Sequence, residues 1–134
     1  MPEEDFWPEI TPGKMRTPVT VLREQAGLLG QKTRNLVVGE VRSGQDENGF
    51  AHNLNLVAPA LGRYTYVAVT ISHGIALYPV RILDRVRPTD PVVATSEEGL
   101  KRELRRILSS PEMKHLIEAL IAQSVAVTPE PVTS

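Results

Sequence analysis

FAHNLNLVAPALGRYTYVAVTIS, residues 50–72, is the stretch on which the fold turns. Phe50, His52, Leu54 and Leu56 alternate with Ala51, Asn53, Asn55 and Val57. That is the period-two pattern of a strand with one more apolar face, and it predicts a strand over Phe50–Ala58. Pro59-Ala60-Leu61-Gly62 is a short connection. Arg63–Ser72 reads as the next strand, with Val67, Val69 and Ile71 on one face and Tyr64, Tyr66 and Thr70 on the other. A joint this short requires antiparallel neighbours, because a parallel crossover needs about a dozen residues or more.

The same reading extends outward in both directions. Upstream, Asn35–Arg42 is a strand, closed by the turn-rich segment SGQDENG at residues 43–49. Downstream, His73-Gly74 turns the chain into a fourth strand, Ile75–Leu83. Pro79 inside that segment lacks a backbone donor and so predicts an edge strand. Before the strands, Thr17 can cap a helix and Pro18 suits its first position. Val19, Leu22, Ala26 and Leu29 recur at helical spacing. Val21 and Leu28 widen the stripe beyond a narrow seam, and Gly30 supplies a stop, giving a helix over 18–31.

After Pro88 and Pro91, Thr95 and Glu98 fit a capping box, and Leu100, Leu104, Ile107 and Leu108 form one apolar stripe. Ser110 caps and Pro111 opens a last helix, striped by Met113, Leu116, Ile117, Leu120 and Ile121. The fold class is therefore α+β: an antiparallel meander of about four strands, preceded by one helix and followed by two. The expected layout is an extended arm over 1–16 and a helix-plus-sheet core over 17–87. A linker over 88–95, a two-helix segment of the same domain over 96–124 and a disordered tail over 125–134 complete it. The order of elements is similar to that of the double-stranded-RNA-binding domain, a helix, three strands and a helix. The extra strand, linker and helix depart from it, and element order alone does not carry a function.

Composition narrows the chemistry. The chain has 134 residues, enough for one core, and its 15 Lys and Arg nearly balance 16 Asp and Glu. A surface built wholly for nucleic acid or anionic lipid is excluded. Cysteine is absent, which removes disulfides, thiolate nucleophiles and iron–sulfur sites. MPEEDFWPEI at the start lacks the basic and apolar runs of a secretory signal, and no stretch approaches the roughly 20 apolar residues of a membrane span. A cytoplasmic protein without membrane contact is the expectation.

Several apparent motifs fail. Gly27-Leu28-Leu29-Gly30-Gln31-Lys32-Thr33 resembles a phosphate loop, but Gln31 separates Gly30 from Lys32 and the segment follows a helix. His52, His73 and His115 lack metal-ligand spacing, and nothing marks them as convergent. Ser72 and His73 are strand neighbours and point to opposite faces, so they are not a nucleophile and its base. Glu40 and Asp84 are the carboxylates nearest the strands, with nothing to bring them across one cleft. No catalytic residue, cofactor or metal is assigned.

Two surfaces remain. Asn53, Asn55, Tyr64 and Tyr66 are expected together on the second sheet face, with Trp7 of the acidic arm as a further partner contact. Lys101, Arg102, Arg105 and Arg106 fall within an arc of about 140°, opposite the Leu stripe, and suit an anion or nucleic acid. The leading expectation is a non-enzymatic protein-interaction module of bacterial type: an adaptor, a toxin-neutralising protein or a complex subunit. Its partner is another protein, or a second copy in a homodimer through Phe6 and Trp7. Nucleic-acid binding by the basic helix face, and a small enzyme with a site not assembled from sequence, are the alternatives.

Overall fold

A computed structural model of the chain describes residues 3–13 and 15–128. Its elements run α1 (Pro18–Lys32), β1 (Val38–Asp46), β2 (Gly49–Ala58), β3 (Tyr64–His73), β4 (Val80–Asp84), β5 (Val92–Ala94), α2 (Glu97–Leu108) and α3 (Pro111–Val127). A short 3-10 turn, Pro59–Leu61, joins β2 to β3. The five strands form one antiparallel meander in the order β1-β2-β3-β4-β5. The α+β class stands, with one strand more than the sequence suggests.

That extra strand is β5, which lies within the expected linker and pairs Val92 with Ile82 and Ala94 with Val80. Three residues are too few for a period-two signal. Its presence also corrects the place of β4, which is internal. Pro79 precedes the strand, where no ladder donor is required, so it does not mark an edge. Residues 75–79 are not strand. The Asp84 carboxylate closes the next turn, accepting from Val86 N at 2.9 Å and Arg87 N at 3.0 Å.

Helix starts follow the expected chemistry with one exception. Thr17 and Ser110 cap α1 and α3, accepting from Thr20 N and Met113 N. At α2 the cap is Ser96, accepting from Gly99 N, so the Thr95–Glu98 box is off by one residue. Gly30 does not stop α1; the helix reaches Lys32. The missing Cβ instead leaves room for Asn35, whose Oδ1 stands 2.8 Å from where that atom would be. Arg34 and Asn35 take the left-handed conformations that turn the chain into β1. The last helix continues to Val127, past the start of the expected tail at residue 125, and residues 129–134 lie outside the described part.

All three helices bear on one face of the sheet. α1 packs chiefly on β1, α2 on β4 and β5, and α3 on the Pro59–Leu61 turn and β2. Leu22, Leu56, Ile71, Ile82, Leu100, Leu104 and Met113 are fully buried between them. The other face carries Glu40, Arg42, Asn53, Thr65, Val67, Thr70 and Leu83, exposed or half-buried, together with the buried Asn55 and Val57 of β2.

Candidate functional site

α1 stands apart from the α2–α3 pair, and the gap between them is a groove of about 500 Å³. Leu54 and Leu56 of β2 lie in its lining with Val21, Ala26, Leu28 and Leu29 of α1. Leu104 and Leu108 of α2 and Met113 and Ile117 of α3 also line it. Its charged members are Glu24, Lys32, Lys101 and Arg105, three cations against one carboxylate. Leu28, which widens the α1 stripe, is 44% exposed there.

Ion pairs bridge α1 and α2 beside the groove, through its lining residues Glu24 and Lys101. Arg16 reaches Glu24 of α1 at 2.6 Å and Glu97 of α2 at 3.5 Å, and Lys101 reaches Glu97 at 2.8 Å. The Lys101 hydrogen bond holds the Glu97 carboxyl below its ordinary value. The root of the N-terminal arm is thus tied across both helices. Beyond Arg16 the apolar residues of the described arm stand off its own domain: Phe6 is 86% exposed, Trp7 78% and Ile10 70%.

The four basic residues of α2 divide. Lys101 and Arg105 stand on the groove, and Arg106 pairs with Glu103 in the turn before it. Of these four, Arg102 alone has no ion-pair partner among the described residues and no place on the groove. The expected patch of Asn53, Asn55, Tyr64 and Tyr66 does not assemble. The short turn sets Ala58 opposite Tyr64 and Leu56 opposite Tyr66, which places both tyrosines on the helix-covered face. Asn53 faces Thr70 and Asn55 faces Val67 on the opposite side. Thr70 Oγ1 donates to Asn53 Oδ1 at 2.8 Å, while the buried Asn55 Oδ1 has no hydrogen-bond partner among the described residues. Glu40 pairs with Arg63 at 2.8 Å on that same open face, and Asp84 lies on the other, so they form no acid–base pair.

Two histidines do converge, contrary to the sequence reading. His52 Nε2 and His73 Nε2 are 3.2 Å apart, and Ser43 Oγ lies 2.7 Å from His52 Nδ1. His73 Nδ1 is 2.8 Å from the Gly74 carbonyl, which can only accept. With both rings neutral, these contacts place the His73 proton at Nδ1, so that His52 donates from Nε2 and Ser43 donates to His52 Nδ1. This is a nucleophile–base–orienter spacing. The nearby depression of about 380 Å³ is lined by His73 and Phe50 but not by Ser43 or His52. A ligand lying there meets neither the hydroxyl nor its base. His115 is exposed on α3, and among the described residues no three His, Asp or Glu side chains group to hold a metal ion.

Burial, then the neighbouring His73, then Arg23, push His52 below the ordinary histidine value. The unfolded chain consequently binds the extra proton more readily than the folded one. Stability from this source is complete above about pH 6.5 and falls as pH drops through that value toward the lower, folded one. The melting temperature should decline between about pH 7.5 and 5, and His52→Gln should flatten part of that decline. Parallel profiles for the two proteins would assign the slope to other groups.

No helix among the described residues is long and apolar enough to cross a membrane. No family model, curated protein or solved structure matches the chain.

Proposed function

We propose that the protein is a non-enzymatic interaction module, of adaptor, toxin-neutralising or complex-subunit type, whose recognition site is the groove between α1 and the α2–α3 pair. The groove itself carries the reading: an apolar channel of about 500 Å³ edged by Lys32, Lys101 and Arg105. Apolar surface of this kind, ringed by polar groups, suits a protein ligand more than a solvated face. The excess of cations selects a segment that combines carboxylates with large apolar side chains. Electrostatics then guides encounter and register, while the apolar floor supplies most of the affinity.

The test uses the chain with Phe6→Ala and Trp7→Ala, so that its own arm cannot compete. A fluorescein-labelled peptide of unrelated order, carrying Glu, Asp, Phe and Trp, is titrated against it. Binding in the micromolar range, weaker as salt rises and abolished by Leu28→Glu, is expected. Leu28 is exposed enough for that change to spare the core. No binding at about 100 μM would overturn the reading. Steep, salt-sensitive binding of a generic DNA or RNA duplex in its place would promote the basic face of α2. The enzyme alternative has the Ser43–His52–His73 spacing in its favour, but neither the groove nor the depression beside His73 is lined by Ser43.

A further inference from the structure

We infer that the occupant of the groove is the N-terminal arm of a second copy, with two chains exchanging arms reciprocally. The inference rests on the groove reading above and names its ligand. The arm has the required chemistry: Glu3, Glu4, Asp5 and Glu9 surround Phe6, Trp7 and Ile10, with no Lys or Arg among residues 3–10. Opposite it, Lys32 and Arg105 edge the groove without an ion-pair partner among the described residues.

Both halves of the contact are unsatisfied in one chain. Phe6 and Trp7 stand in solvent, and no described arm residue lines the groove. Exchange covers both apolar surfaces in one event, and a two-fold arrangement closes without leaving a free arm or a free groove. The arm leaves beside the groove, where Arg16 is held by Glu24, a residue of the groove's lining, and by Glu97. Two copies facing each other therefore bring each arm's origin beside the other's groove. From Arg16 to Phe6 the chain can span roughly 30 Å, more than the roughly 22 Å length of α1.

The area suffices for a stable pair. Phe6 and Trp7 together bury on the order of 400 Å². With two arms and the groove walls they cover, the total is roughly 1,600 Å², the size of a standard specific interface.

Light scattering after size exclusion, with Trp7 emission as a second readout, tests this on the full chain. Trp7 is the only tryptophan, so its emission reports the arm alone. At about 100 μM the protein should be a dimer with blue-shifted emission, and dilution should return both signals to the monomer. Phe6→Ala/Trp7→Ala and Leu28→Glu should each weaken the dimer by about tenfold or more, with the circular dichroism unchanged. Mixing the two variants should restore association in part, because one supplies an intact groove and the other an intact arm, which completes one of the two contacts. Three results would overturn the inference: a monomer with water-like Trp7 emission, a monomer with shielded Trp7, or a dimer indifferent to both variants. If the labelled peptide still binds in those cases, the groove stands and its ligand is another protein. If the peptide fails as well, the groove reading falls with it.

Discussion

Gly39→Ala should cost about 2–3 kcal/mol and loosen α1 from the sheet. Gly39 lies opposite Leu56, on the face that the helices cover. A Cβ built there would stand 2.7 Å from both the Cα and the carbonyl oxygen of Ala26, and 3.0 Å from its Cβ. Those are helix atoms, not the end of a side chain that can swing aside. The helix as a whole must retreat, and Val21, Leu22 and Ala26 lose their seat with it. Backbone preference works in the opposite direction, since Gly is the poorer strand former by roughly 0.5–1 kcal/mol. Any loss is therefore steric. Gly44 on the same strand is the control, with nothing within 4 Å of its Cβ position. Gly44→Ala should be neutral or slightly stabilising in the same denaturant melts. Equal stability for the two variants would show that α1 does not rest on β1 at this point.

Much of this architecture is legible from residue pattern, because local chemistry decides it. Thr17-Pro18 and Ser110-Pro111 start helices where a capping oxygen meets a proline that needs no donor. The β2–β3 hairpin is legible for the same reason: alternation on both arms and a short joint. What escapes is set by register. Without a bulge, the pairing of Ala58 with Tyr64 continues to His52 opposite Thr70, and His73 faces away. The shift after Leu54 leaves Ala68 as an extra residue, so His52 faces Ile71 and Phe50 faces His73. One inserted residue thus brings Val69, Ile71 and His73 onto the helix-covered face that Tyr66 already occupies, and creates the histidine contact. The two-residue turn at Glu47-Asn48 likewise sets Ser43 opposite His52. Neither shift has a mark in residue order. The groove left a fainter trace: Leu28 widens the α1 stripe beyond what the sheet can cover, and that excess is the wall that stays exposed.

The C-terminal helices provide the larger test of how the core is shared. Leu104→Ala and Leu120→Ala should each cost about 2–5 kcal/mol. Leu104 is 2% exposed and Leu120 3%, and both belong to the single apolar cluster that includes Leu56 and Ile71. Truncation removes apolar contact and leaves a void that the surrounding sheet cannot fully close, which is why the cost exceeds transfer alone. Leu104 should sit toward the lower end, because it also lines the groove and its vacated space opens to solvent. Leu120 does not line the groove and should sit toward the upper end. Val125→Ala, at a position 58% exposed near the end of α3, should change little. The expected order of midpoints in urea is thus Leu120→Ala lowest, then Leu104→Ala, with Val125→Ala close to wild type. Losses under about 1 kcal/mol for both leucines would mean that α2 and α3 do not share the sheet's core, and the groove they form with α1 would lose its wall.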